Sequence, residues 1–272
     1  MKAQTYPSDL TEGQWEHIKD LFPSQQDENG NRKRGRPREL DLRRVVNALF
    51  YVTVTGCQWR YLPKEYPPWQ SVYYYFNKWR KDGTWLGIHE RLRCQVRQKC
   101  GRHKHPTAGC LDSQSVKTTA VPGERGYDKA KQVVGRKRHI LVDTMGLLLW
   151  VVVTAASVSE SAGARLVLSR MPGGCKKLRR VWVGCPLGRG GYFGTLLTWA
   201  LLRFRLVLEL VKRPPEQKGF AVLPRRWVVE RTFAWLSNHR RLSKEYERLM
   251  PTSEAFIQIA MMRLMLRRLH PN

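Results

Sequence analysis

The hydrophobic pattern of this chain changes once, at a short basic segment, and that change limits the folds it can adopt. Before this segment, apolar residues recur every three or four positions, as on one face of an α-helix. Residues 99–106, KCGRHKHP, are polar and basic. After them, short apolar runs bounded by turn residues alternate with helical patterns. The pattern predicts an all-α domain at residues 1–101 and an α/β domain with a mixed sheet at residues 102–272.

Local signals place the helices of the first domain. Thr11 and Gln14 have the spacing of a capping box, Asp41 can cap a second helix, and Gly56 can end it. A third helix is predicted from about Gln70, after a turn-rich connector, and a fourth over residues 84–98. A helix, a turn and an aromatic, basic helix are typical of a helix-turn-helix DNA reader, and an ordinary helical bundle is the alternative. The outward residues of the third helix that are predicted to contact DNA are Tyr74, Asn77 and Lys78.

The charge of the chain indicates its partner. Its 272 residues include 49 Lys and Arg against 22 Asp and Glu, which gives a net charge of +27. Such an excess predicts that the protein binds a polyanion. Nucleic acid is favoured over an anionic membrane surface, because aromatic residues throughout the chain indicate a folded core and not a basic tail. Residues 32–38, RKRGRPR, form either a solvated loop or an arm for phosphates or the minor groove. The predicted DNA contacts there are Arg32, Lys33, Arg34, Arg36 and Arg38.

The cysteines and the N-terminal segment indicate the compartment. The 6 cysteines form no CxxC pair, which argues against a zinc site. The first twenty or so residues are polar and do not resemble a signal peptide, so reduced thiols in a cytoplasm are expected. The most apolar run, residues 147–153, is too short to span a bilayer.

Two carboxylates of the second domain are candidates for chemistry. Asp112 is predicted near the end of a short strand at residues 108–113, where it is either a metal ligand or a turn-forming Asp. Residues 223–249 predict one helix, in which Glu230 lies among arginines. Arg226 and Glu230 form either a solvated pair or part of a metal and phosphate site. A hairpin is predicted from residues 137–143 and 147–154, with further strands at residues 178–183 and 205–212.

Long motifs carry a resemblance to a known family. They are LDSQSVKTT, RGYDKAKQVVGRKRHILVDTMGLLL and GFAVLPRRWVVERTFAWLSNHRRLSKEYERL. These segments resemble the transposases of the IS5 group of bacterial insertion sequences, which are DDE transposases with a ribonuclease-H-like core. The N-terminal segments GRPRELDLRRVVNALFYVTVTGCQWRYLP and WQSVYYYFNKW look like the DNA-binding domain of that group. The resemblance covers nearly the whole chain.

The resemblance implies a function and a site. Such an enzyme binds the terminal inverted repeats of its element and target double-stranded DNA, and cuts and joins strands with two Mg²⁺ or Mn²⁺ ions. Asp112 matches the first catalytic Asp and Glu230 the catalytic Glu, both as metal ligands, and Arg226 matches the basic residue one turn earlier. A homo-oligomer on DNA, a cytoplasmic, nucleoid-associated location and no membrane partner are expected. The second-domain residues predicted to contact DNA are Arg136, Lys137, Arg138, Arg226, Arg240 and Arg241.

One departure from the family pattern weakens the expected activity. The group has a second Asp after its fourth strand, in a pattern like W-x-D-G-x-Y-x-G, whereas residues 184–189 here are GCPLGR. Residues 161–208 contain no Asp or Glu. Metal binding and catalysis are therefore expected to be impaired, and our hypothesis is that GCPLGR is a run of out-of-frame codons. Restoring the frame in the nucleotide sequence should then recreate an Asp codon.

Two other functions compete with an active transposase. A catalytically decayed protein that only binds or represses element ends would suit the missing Asp. An RNA-binding or ribosomal protein would suit the charge, but it would not explain LDSQSVK together with WVVERTFAWL.

Overall fold

The chain consists of a helical N-terminal part followed by an α/β part with a mixed sheet, as the sequence predicts. The computed structural model describes residues 5–24, 39–120, 123–171, 177–184, 191–211 and 225–271. None of the helices in these ranges is long and apolar enough to cross a membrane. The helices of the N-terminal part are α1 (Glu12–Ile18), α2 (Leu42–Thr55), α3 (Trp69–Lys81) and α4 (Thr84–Lys99).

Local capping fixes the ends of α1 and α2. The Thr11 side chain accepts a hydrogen bond from the Gln14 amide at 3.2 Å, and the Gln14 side chain accepts one from the Thr11 amide at 3.2 Å. Asp41 accepts from the Arg43 amide at 2.9 Å at the start of α2. Gly56 ends α2 with a φ of 72°, a left-handed conformation that glycine adopts without strain. These short-range predictions are confirmed.

The second part is built on one twisted mixed sheet. Strand β1 lies between β3, to which it is antiparallel, and β5, to which it is parallel. Strand β6 continues the sheet parallel to β5, and β2 and β4 both pair with β3. The strands are β1 (Ala108–Lys117), β2 (Gly126–Asp128), β3 (Val133–Asp143), β4 (Leu148–Ala155), β5 (Arg180–Gly184) and β6 (Val207–Val211). The helices are α5 (Glu160–Ser169), α6 (Gly191–Phe204), α7 (Trp227–Ser237) and α8 (Met250–Leu269).

Strand β1 is longer than the sequence predicts. It continues past Ser113 to Lys117 because β3 pairs with it along its whole length, from Gly109 opposite Asp143 to Lys117 opposite Gly135. Asp112 therefore lies within the strand and not at its end. No apolar run marks this extension in the sequence, because Ser113, Gln114 and Ser115 are all polar.

The single helix predicted over residues 223–249 is wrong. Helix α7 ends at Ser237, a 3₁₀ turn follows at Arg240–Leu242, and the chain is irregular up to α8. Two buried arginines of β3, Arg136 and Arg138, supply the donors that the helix would have supplied. They bond, at 2.7 to 3.3 Å, the backbone carbonyl oxygens of Leu242, Lys244, Glu247 and Arg248.

A continuous hydrophobic core joins the two parts. Buried residues of α2, α3 and α4 pack with α8 and with the sheet face that carries Ile140 and Val151. The rings of Phe76 in α3 and Phe256 in α8 are stacked 4.8 Å apart. Helices α5 and α6 cover the opposite face, around residues such as Leu141. The division at residues 99–106 stays a prediction, since both sides of it contribute to this core.

Candidate active site

The site forms where β1, β5 and the start of α7 meet. Strands β1 and β5 are parallel, and Leu111 lies opposite Val183. The residues that follow them, Asp112 and Gly184, are consequently neighbours across the sheet. Gly184 is the position at which the predicted second Asp is missing.

The Arg226 guanidinium lies between the two predicted carboxylates. Its Nη2 is 3.4 Å from Asp112 Oδ2, and its Nε is 3.7 Å from Glu230 Oε1. The side chains of Asp112, Arg226 and Glu230 are 12%, 30% and 45% exposed. A Cβ added at Gly184 would lie 3.1 Å from Arg226 Cζ, so the guanidinium packs directly on this glycine. The structure thus brings Asp112, Gly184, Arg226 and Glu230 together.

The residue before Arg226 anchors the start of α7 to the sheet. Arg225 has a φ of 70°, which is unfavourable for a residue with a Cβ. Its carbonyl oxygen accepts a hydrogen bond from the thiol of Cys110 at 3.1 Å. Burial raises the pKa of Cys110 to about 12, so the thiol stays protonated and can donate. The Arg225 guanidinium lies 4.8 Å from the centre of the Trp182 ring, which is a second contact that fixes the segment on the sheet.

Glu209 on β6 is a further carboxylate of this face. It lies opposite Trp182, which lies opposite Cys110, so its side chain shares the face of Asp112. Its carboxylate is 3.7 Å from Arg225 and 3.6 Å from Arg180, and it accepts from Trp182 Nε1 at 3.1 Å. The position of Glu209 near Asp112 follows from the register of β1, β5 and β6, and it cannot be read from the order of residues along the chain.

Glu160 lies on the opposite face of the sheet. It accepts the hydroxyl of Ser113 at 3.2 Å and lies 3.8 Å from Lys131 Nζ. Side chains alternate along a strand, so Ser113 and Asp112 point to opposite faces. Glu160 cannot complete a ligand set with Asp112.

The residues present do not fit a two-ion centre. Mg²⁺ and Mn²⁺ prefer carboxylate oxygens, and two ions held close together need several of them. Over the described ranges, no group of three His, Cys, Asp or Glu side chains is placed to hold a metal. Asp112 and Glu230 are both already paired with Arg226.

The residues predicted to read DNA on the third helix lie at the surface. Val72, Phe76 and Trp79 of α3 are buried, as predicted for its inward face. Tyr74 is 60% exposed, Lys78 is exposed, and Asn77 is half-buried and accepts from Arg80 at 3.3 Å. Arg240 is exposed as well. The predicted arm residues lie outside the described residues: Arg32, Lys33, Arg34, Arg36 and Arg38.

Other basic residues predicted to contact DNA are buried and bonded within the protein. Arg136 and Arg138, each 1% exposed, flank Glu245 at 3.7 and 3.6 Å. Lys137 is 3.0 Å from Asp128, and Arg241 bonds Glu247 at 2.6 Å. These surroundings favour an internal structural role for Arg136, Lys137, Arg138 and Arg241 over the predicted contacts with phosphate. Strand β3 is buried from Gly135 to Asp143, and the sequence carries no signal for this, because basic residues in a strand usually face water.

Comparisons with known proteins agree with the motifs. Residues 103–265 match the family model "Transposase DDE domain", and residues 10–89 match "Putative transposase of IS4/5 family". A similar curated protein is "Putative transposase for insertion sequence element IS402" of Burkholderia cepacia, with 31% identity over 144 residues. The match spans 50% of this chain and 64% of that protein, which is less than two thirds of its length. A DDE domain implies dependence on divalent metal in general. The chain belongs to the DDE transposases of insertion sequences.

Proposed function

We propose that this protein binds the terminal inverted repeats of its insertion sequence, and that its present sequence cuts DNA poorly. The intact reaction would be metal-dependent cleavage and strand transfer, carried out by a homo-oligomer on double-stranded DNA in the bacterial nucleoid. The sheet, with β1 antiparallel to β3 and parallel to β5, supports a ribonuclease-H-like core. Helix α3, with Tyr74 and Lys78 at the surface, supports a helix-turn-helix reader.

One observation carries the proposal of impaired activity. Gly184 stands beside Asp112 across the β1–β5 pair, where the family pattern would supply another carboxylate. Two divalent ions would stabilise the attacking and leaving oxygens of the phosphodiester, and among the described residues Asp112 and Glu230 are the two carboxylates that contact Arg226. Losing one ligand removes negative charge and fixed geometry from the site.

The function of the protein is tested by repairing the site. We expect the unchanged chain to bind a duplex of its element's end and to leave it uncut in Mg²⁺ or Mn²⁺. Replacing residues 184–189 with one Asp restores the spacing of the family pattern, and should restore cleavage. Adding Asp112→Ala or Glu230→Ala should abolish cleavage again. Strong cleavage by the unchanged chain that survives Glu230→Ala would contradict the site.

DNA binding is tested through its salt dependence. Contacts between phosphates and Lys or Arg release counterions, so the logarithm of the binding constant should fall linearly with the logarithm of salt concentration. Lys78→Ala should weaken binding to the element's end more than to an unrelated duplex, if α3 enters the major groove. Equal losses on both duplexes would make Lys78 a general phosphate contact.

A second candidate function is a DNA-binding protein without catalysis, which represses active copies of the element. The absence of Asp and Glu from residues 161–208 favours it. The two functions differ in one measurement, metal-dependent nicking of a duplex of the element's end. If the nucleotide sequence across codons 184–189 yields no Asp codon in another frame, our hypothesis of out-of-frame codons is wrong.

A further inference from the structure

We infer that Arg226 is a built-in counter-ion, which holds the place of a divalent cation between Asp112 and Glu230. The inference rests on the proposed function in one respect, namely that these two carboxylates are the remaining ligands of the site. It adds a specific cause for weak metal binding: besides lacking a ligand, the site already contains a cation. The structure assigns that cation to a side chain of the protein itself.

The contacts of Arg226 are those expected of such a counter-ion. One edge of its guanidinium serves both carboxylates: Nε and Nη2 each donate to Asp112 Oδ2 at 3.4 Å, and Nε also lies 3.7 Å from Glu230 Oε1. Asp112 also accepts a 2.7 Å bond from the amide of Ser113 at Oδ1, so both of its oxygens are engaged. One positive group thereby compensates much of the negative charge that would attract a metal.

The missing side chain at Gly184 gives the guanidinium its space. A Cβ on Gly184 would lie 3.1 to 3.3 Å from Cζ, Nε and Nη2 of Arg226, closer than ordinary van der Waals contact. An Asp at this position would require the guanidinium to shift by at least a few tenths of an ångström. The glycine at position 184 therefore leaves the space that the guanidinium occupies beside Asp112.

The backbone holds Arg226 close to the carboxylates. It precedes the first turn of α7, and the carbonyl of the preceding Arg225 is bonded to the Cys110 thiol on β1. The aligned amides at the start of α7 add partial positive charge near the same point. A divalent cation between the carboxylates would meet a full positive charge a few ångströms away, and at such distances this repulsion is large even near the surface.

The test is a titration of the full-length protein with Mn²⁺ alone, followed by electron paramagnetic resonance of the free ion. Arg226→Gln removes the charge and should bind one Mn²⁺ about tenfold more tightly than the unchanged chain. Arg226→Lys keeps the positive charge and should show no such gain. Arg225→Gln is the matched control, because it removes an adjacent charge that faces Glu209 instead. Adding Asp112→Asn to Arg226→Gln should abolish the new binding.

The outcomes separate the inference from the proposed function. No gain in Arg226→Gln, with circular dichroism showing a folded protein, overturns the inference, as does an equal gain in Arg225→Gln. If either of these results occurs while the repaired chain cleaves DNA, the proposed function stands and the counter-ion role of Arg226 is rejected. If Arg226→Gln gains an Asp112-dependent Mn²⁺ site but the repaired chain stays inactive, the counter-ion stands and the proposed catalysis does not.

Discussion

At the scale of single residues, replacing two helical glycines by alanine is expected to change the stability in opposite directions. Gly163 in α5 packs on the ring of His139, and an added Cβ would lie 2.0 Å from that ring. Gly163→Ala should therefore lower the free energy of unfolding by about 1–3 kcal/mol, through overpacking. Gly87 in α4 has no atom within 4 Å of an added Cβ, so Gly87→Ala should raise it by about 0.5–1 kcal/mol. Urea unfolding measures both, and stabilisation by both would contradict the close packing of α5 on β3.

A buried histidine makes stability depend on pH. Burial, and secondarily Arg93, lowers the pKa of His89 from 6.5 to about 3. Below pH 6.5 the unfolded chain takes up a proton that the folded chain refuses, so the histidine's contribution is lost as pH falls from 6.5 towards 3. The expected loss is about 1.4 kcal/mol per pH unit within that window. His89→Leu should show a shallower decline between pH 7 and pH 5, and an equal decline would mean that His89 becomes protonated in the folded state.

At the scale of elements, the segment between α7 and α8 depends on an arginine from β3. Arg138 is 1% exposed, lies 3.6 Å from the buried Glu245, and bonds the Leu242 carbonyl at 2.7 Å. Arg138→Met leaves that carboxylate without one of its partners and should cost about 3–5 kcal/mol of unfolding free energy.

Arg240→Met is the control for Arg138→Met. Arg240 is exposed in the same segment, so its replacement should change the stability by less than about 0.5 kcal/mol. It should instead weaken binding to DNA, measured by fluorescence anisotropy. If Arg138→Met keeps full stability but loses DNA binding, then the originally predicted phosphate contact is right and the structural role is not.

The sequence predicts those elements whose cause is local. The capping box at Thr11, the glycine that ends α2 and the hairpin of β3 and β4 all depend on residues a few positions apart. The end of α7 has no local cause. Arg136 and Arg138, about a hundred positions earlier, donate hydrogen bonds to backbone carbonyl oxygens of the segment that follows α7. For the same reason motifs identify Asp112 and Glu230, whereas only strand register reveals how Gly184 and Glu209 lie relative to them.

At the scale of the whole molecule, the shared core predicts cooperative unfolding. Phe256 in α8 is fully buried, stacks on Phe76 of α3, and has the Arg241 guanidinium 5.1 Å from its ring centre. Phe256→Ala should cost about 3–5 kcal/mol. The protein should still unfold in a single transition with a lowered midpoint, and far-ultraviolet circular dichroism and tryptophan fluorescence should give the same midpoint.

Leu202→Ala is the control for Phe256→Ala. This leucine of α6 is 78% exposed, and its replacement should change the stability by less than about 0.5 kcal/mol. Two separate transitions in Phe256→Ala, with one of them unshifted, would contradict the cooperative core. That result would support the predicted division at residues 99–106 as a boundary between independent units.

The position of α8 has a consequence for how the protein is made. Helices α2 and α4 pack on α8, whose residues 250–269 leave the ribosome long after the helical part has been synthesised. Until then, the parts of α2 and α4 that α8 covers stay exposed, and such apolar surfaces favour aggregation or chaperone binding. Translation that terminates before Met250 would release a chain whose helical part lacks the helix that completes its core. Premature termination late in the reading frame should therefore yield insoluble protein, even when every residue of the predicted DNA-binding region is present.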